Sequence, residues 1–82
     1  MTKPLEGEIY HWEKADIMAC AVSAGSAATL QISMENEPFI DVLELPLAGG
    51  DNIAQVQLRN CRFRFTGITG TVTFKPDARQ AE

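Results

Sequence analysis

Histidine, cysteine and clustered basic residues are scarce in this 82-residue chain, and each shortage removes a class of function. His11 is the only histidine, and no Asp, Ser or Cys stands near it in a spacing that builds a triad or a nucleophile–base pair. It reads as a half-exposed strand histidine beside Trp12. The two cysteines, Cys20 and Cys61, lie far apart and form no CxxC motif; with one histidine they make a poor zinc set. They read as buried free thiols, and a disulfide would require the strands carrying them to be neighbours. Lysine and arginine total 7 against 11 acidic residues, giving a net charge of −4. That balance disfavours nucleic acid and anionic membrane surfaces as partners. No run approaches the ~18–20 apolar residues of a membrane span. The first fourteen residues hold no apolar h-region, so no signal peptide is expected.

Glycine-rich chemistry is missing as well. Ala48-Gly49-Gly50-Asp51 lacks the lysine and the following helix of a phosphate-binding loop. Gly67-Ile68-Thr69-Gly70 runs into a predicted strand and offers no helix N-terminus to a phosphate. Glu35, Glu37 and Asp41, with Glu44 beyond, invite a paired-carboxylate or calcium reading. The stretch has no glycine for the sharp bend of a calcium loop, so a solvated hairpin turn is the better account. No catalytic residue, metal site or cofactor is expected, and the chain does not read as an enzyme.

Helical periodicity is equally thin. Residues 15–28 are alanine-rich, but Gly25 and the small and β-branched residues around it undercut a helix. Period-two alternation is clear, with turn residues every eight to twelve positions. It predicts strands at about residues 6–13, 17–23, 28–34, 39–45, 53–58, 61–65 and 72–74. Breaks fall at Ala24-Gly25-Ser26, at the turn ending in Pro38, along Pro46–Asn52 and at Arg59-Asn60. The fold class is therefore all-β: a small antiparallel β-sandwich or barrel of about seven short strands. Residues 1–75 form one β domain, and 76–82 a flexible C-terminal tail. The expected inward set is Leu30, Ile32, Val42, Val56, Leu58, Phe63, Phe65, Val72 and Phe74.

Three groups remain as candidate partner-binding residues. Arg59, Arg62 and Arg64 make the one basic cluster; Arg62 and Arg64 share a strand face, roughly 7 Å apart by the strand repeat. They suit bidentate bonds to carboxylates, or form a solvated face that discourages edge pairing. Tyr10 and Trp12 share a face of the first strand, where paired aromatics either pack in a core or stack on sugars and anchor interfaces. Leu43, Leu45 and Leu47, with Ile40, load more apolar side chains onto one segment than a thin sandwich covers.

Residues 27–42, Ala-Ala-Thr-Leu-Gln-Ile-Ser-Met-Glu-Asn-Glu-Pro-Phe-Ile-Asp-Val, resemble a pattern of small bacteriophage virion proteins: a TLQ-type strand, a polar turn, then an aromatic and Asp-Val. Val56–Phe65 followed by Thr66-Gly67-Ile68-Thr69-Gly70-Thr71-Val72-Thr73 is similar to the ending of phage decoration and cement-like β-sandwich proteins. Met34-Glu35-Asn36-Glu37 departs from their Asp-Gly turn. Discoidin-type carbohydrate-binding sandwiches share a similar rhythm. The resemblance implies a structural protein of the virion, made in the host cytoplasm, binding phage capsid or tail proteins and forming a homo-oligomer. It transfers no catalytic residue. The alternative is a small carbohydrate- or protein-binding module working through Tyr10 and Trp12.

Overall fold

The computed structural model describes residues 3–34, 37–75 and 79–80. The chain is all-β, with no helix among the described residues. Its strands are β1 (Tyr10–Val22), β2 (Ala27–Ser33), β3 (Ile40–Leu45), β4 (Ile53–Thr69), β5 (Val72–Lys75) and β6 (Arg79–Gln80). All pair antiparallel in one sheet of order β3-β2-β4-β1-β5, with β6 also on β1. The count is six rather than seven short strands: two pairs of expected strands are each continuous, which leaves five, and β6 lies in the segment expected to be a tail. The second half of 6–13 and most of 17–23 fall within β1, 13 residues long, and 53–58 and 61–65 within β4, 17 residues long. Within the expected tail, Arg79 and Gln80 pair with His11 and Tyr10. Residues 76–78 and 81–82 lie outside the described residues.

The joins between the fused strands are bends. The register of β1 against β4 slips by one residue between Trp12 and Ala15, opposite Asn60, whose φ is 45°. A bulge leaves one residue unpaired and sharpens the local twist, and asparagine is among the few residues that tolerate a positive φ. Burial along β4 switches phase at this point: Ala54 and Leu58 are buried before it, and Cys61, Phe63 and Phe65 after it.

The bends curl the sheet over its own inner face. Phe74 pairs with Cys20, ten residues along β1 from Tyr10, which a straight strand would place roughly 33 Å away at ~3.3 Å per residue. The ring centroids of Tyr10 and Phe74 are 5.0 Å apart. Phe63 lies at the centre of the resulting cluster. Its ring is 5.4 Å from Tyr10, 6.2 Å from Trp12, 6.0 Å from Phe65 and 5.3 Å from Phe74, mostly edge to face. Offset and edge-to-face contacts of this kind add about 0.5–1.5 kcal/mol per pair beyond area burial. Met18, Cys20, Val22, Ala28, Leu30, Leu45, Ala54, Leu58, Cys61 and Val72 complete the core.

Two further bulges shape the sheet. Between Ala27 and Thr29 of β2, β4 carries an extra residue near Gly67 (φ 61°). The Gly67 and Ile68 N–H groups donate to the Glu6 carboxylate at 2.9 and 2.8 Å, and the Gly7 N–H donates to the Phe65 carbonyl at 2.9 Å. The N-terminal segment thus takes the place a further strand would occupy beside this part of β4. In β3, the register slips between Leu30/Leu43 and Gln31/Asp41 and leaves Val42 as the extra residue. Val42 is therefore exposed, not inward as the alternation predicted. Met34, which shares the phase of Leu30 and Ile32, is exposed beyond the end of β2.

Ser26 ties two turns together. Its hydroxyl is buried, pairs with the Ser23 hydroxyl at 2.7 Å, and accepts from the Thr71 N–H at 2.9 Å. Gly70 (φ 75°) is pressed against it: a Cβ there would lie 2.0 Å from Ser26 Oγ and 2.8 Å from Ser26 Cβ. Gly70→Ala should cost at least ~1–3 kcal/mol in urea unfolding, from the positive φ alone. Phe63→Ala should cost ~3–5 kcal/mol, enough at this chain length to leave the protein unfolded at room temperature by circular dichroism.

Candidate binding surface

The residues singled out in the sequence divide sharply. Tyr10 and Trp12 are 5% and 1% exposed and belong to the aromatic core, so neither ring offers a stacking platform. β1 is an interior strand, paired to β4 on one side and to β5 and β6 on the other, and its aromatics fill the concave face. The Tyr10 hydroxyl donates to the Glu8 carboxylate; burial first, and then that carboxylate, hold the phenol above its ordinary range. Leu45 is buried, and Leu43 and Leu47 pack against the core, so that segment is not an exposed contact surface either. Leu43 and Leu45 pair with Leu30 and Ala28 of β2, on the face that the curl closes.

Arg62 and Arg64 share the outer face, as their alternation with Phe63 and Phe65 requires. Both guanidinium carbons lie over the Phe39 ring, at 5.6 and 4.2 Å from its centroid. Arg62 Nη2 donates to Ser33 Oγ at 3.0 Å, and the Ser33 hydroxyl donates to the Glu37 carbonyl. Arg64 Nε donates to Gln31 Oε1 at 2.7 Å, and Gln31 Nε2 donates to Asp41 Oδ1 at 2.6 Å. These cations are half-buried and committed to bracing the β2–β3 hairpin against β4. Arg59 is separate: it is exposed, beside Asn60 at the bend of β4.

Arg59 borders a large groove. It has a volume of about 770 Å³ and is lined by Ile32, Met34, Glu37, Pro38, Ile40, Val42, Arg59 and Asn60. Ile32 pairs with Phe63 on one side and Ile40 on the other and packs against the core. The groove floor is thus a continuation of the core face where the curled sheet opens at the hairpin end. Met34 and Ile40 are each 62% exposed and Val42 is 42% exposed. Glu37 borders it from the hairpin turn and Arg59 from β4. Ile40 is legible in the sequence as an uncovered apolar residue; Val42 falls in the expected inward set because period-two counting has no means of registering a bulge.

The setting of the thiols favours their protonated form. Both cysteines are buried and unpaired with each other. Burial pushes the Cys20 thiol up to about 11 and raises that of Cys61, which a backbone hydrogen bond at Arg59 partly offsets. Among the described residues no group of three His, Cys, Asp or Glu side chains is placed to hold a metal ion. No protein-family model matches the chain, and no curated protein or solved structure is detectably similar to it.

The Cys20 shift fixes the sign of an alkaline dependence. An exposed thiol in the unfolded chain ionises near 9, while the buried one stays protonated to about 11. The stabilisation is complete below pH 9 and is lost as pH rises toward 11, because the unfolded state releases its proton first. Urea midpoints should fall over this window, and Cys20→Ala should make that fall shallower without shifting its direction.

Proposed function

We propose that the chain is a non-enzymatic structural module of a phage-type virion, docking on capsid or tail proteins or on copies of itself through the apolar groove. The observation that carries this reading is the groove itself. Three large apolar side chains, Met34, Ile40 and Val42, are exposed side by side over a floor continuous with the core. Isolated exposed apolar residues are ordinary on a protein surface; a contiguous set rimmed by polar groups marks an interaction site. The buried, protonated thiols and the structural engagement of Arg62 and Arg64 favour binding over chemistry. The likeness of residues 27–42 and 56–73 to decoration and cement-like proteins supplies the class of assembly. The sugar-binding alternative loses its aromatic platform with the burial of Tyr10 and Trp12.

The test is co-expression with the genes flanking this one, followed by isolation of particles on a density gradient. The chain should travel with the particles, and Ile40→Lys should release it while its circular dichroism stays native. Particles that form without it, or that retain the Ile40→Lys chain fully, would remove this reading.

A further inference from the structure

We infer that the free edge of β4 over Ile53–Gln57 is a second docking surface, separate from the groove. It pairs antiparallel with the same segment of a second copy of this chain, about a two-fold axis at Gln55. β1 lies along one edge of β4 from Ile53 to Phe63. On the other edge, among the described residues, β2 reaches β4 only from Arg62 onward. The stretch before Arg62 therefore has a strand on one side alone.

The backbone groups of that stretch point to the open side. The Val22 N–H donates to the Asn52 carbonyl at 2.9 Å, which marks these two as a hydrogen-bonded pair of the β1–β4 ladder. Such pairs alternate with pairs whose N–H and C=O groups face away from each other. The register runs without a slip from Ala21 opposite Ile53 to Asp16 opposite Leu58. Ala54, Val56 and Leu58 thus bond to β1, while Ile53, Gln55 and Gln57 direct both groups to the open edge.

Other edges of this sheet are guarded. β3 has only six residues, with a bulge at Val42 and exposed Asp41 and Glu44. β5 has four and ends on exposed Lys75. Near Gly67 the N-terminal segment covers β4 through Glu6 and Gly7. Shortness, charge, bulges and covering segments are the devices that keep edges from pairing. Ile53–Gln57 carries no charge, no proline and no bulge.

Charge order selects the occupant. Antiparallel pairing about a two-fold axis requires a segment complementary to its own reverse. With Gln55 on the axis, Gln55 meets Gln55, Ile53 meets Gln57 and Ala54 meets Val56 of the other copy. The chain is net negative by 4, yet this stretch brings no like charges together. The same count sets Asp51 of each copy toward Arg59 of the other, and both are exposed. Opposite charges at the two ends of a neutral strand make the antiparallel self-pairing attractive and disfavour the parallel one.

Sedimentation equilibrium and cross-linking test this. The chain of 9.0 kDa should sediment as a dimer at micromolar concentration. Gln55→Pro removes a donor that the monomer does not use, and proline is tolerated on an edge strand; this variant should be monomeric with native circular dichroism. Gln55→Lys, which sets two like charges opposite each other, should weaken the dimer about fivefold. Mild oxidation should link Gln55→Cys across the axis, since hydrogen-bonded partners stand ~5.5 Å apart at Cα, within the reach of a disulfide. Gln57→Cys, four residues out of register with its own counterpart, should not link above the background of the buried Cys20 and Cys61. A wild-type monomer at hundreds of micromolar, a dimer indifferent to both Gln55→Pro and Gln55→Lys, or equal linking at the two cysteine positions overturns the assignment. A dimer lost on Ile40→Lys and kept on Gln55→Pro moves the contact to the groove, which overturns the edge assignment and leaves the docking reading standing.

Discussion

Two irregularities face each other near the middle of the sheet, and the rest of the structure depends on them. The register slip after Trp12 and the positive φ of Asn60 lie at the same level of the β1–β4 ladder. If both strands ran straight, Phe74 would sit far from Tyr10, and the rings of Phe63, Phe65 and Phe74 would line a flat face open to water. The paired bend folds that face inward, so a single sheet supplies both walls of its own core. The same bend ends the closure at the hairpin, where Ile32 faces inward and lines the groove. Core and groove are two consequences of one curvature.

Small domains have little free energy to spare, and this one places its buried polar groups accordingly. Ser26 and Ser33 are the polar residues fully withdrawn from solvent among those described, and each has partners. Ser26 accepts from the Thr71 N–H beside the Gly70 turn, and Ser33 links Arg62 to the hairpin backbone. An unsatisfied buried donor costs about 1–3 kcal/mol, a large share of a stability of 5–15 kcal/mol. Glu6 performs the same service for the bulge at Gly67, replacing strand carbonyls with two carboxylate oxygens. The Trp12 indole N–H is buried with no hydrogen-bond partner among the described residues. The cluster of rings around it is tight enough to hold the indole there.

The sequence carried the strand content and the core aromatics, because period-two alternation is a direct expression of one buried face. It located the breaks near residue 15 and at Arg59-Asn60 correctly but misread their nature. A true turn in this chain brings glycine or proline, as at Gly25, Pro38 and Gly50; the Arg59-Asn60 step has neither. What it has is a phase change, from Ala54 and Leu58 inward to Cys61, Phe63 and Phe65 inward, with alternation resuming at once. That combination signals a bent continuous strand. The open choice at Tyr10 and Trp12 and the misplaced surface at Leu43–Leu47 share one cause. Alternation assigns a side chain to a face but not a face to the inside, and the curl that decides this is a long-range property. Val42 failed for a local reason, a bulge that no residue type announces.

The site had a different kind of legibility. Basic residues were visible as a cluster, yet the strand repeat alone could not separate Arg59 from Arg62 and Arg64. Their separation comes from the Asn60 bend, which puts Arg62 and Arg64 under Phe39 and leaves Arg59 on the groove rim. An arginine stacked on a ring and hydrogen-bonded to a neighbouring strand, as Arg62 and Arg64 are, has lost most of the freedom it would otherwise lose on binding. An exposed arginine at a groove edge keeps its donors available at the cost of ordering its side chain later. The division of labour follows: the two inner arginines hold the hairpin rigid, and rigidity lowers the entropy that any docking through Met34, Ile40 and Val42 must overcome. In the proposed docking, Arg59 and Glu37 would act on the rim, where desolvation costs little, and the apolar floor would supply the affinity. The bend of β4 sets the place of Arg59 on that rim.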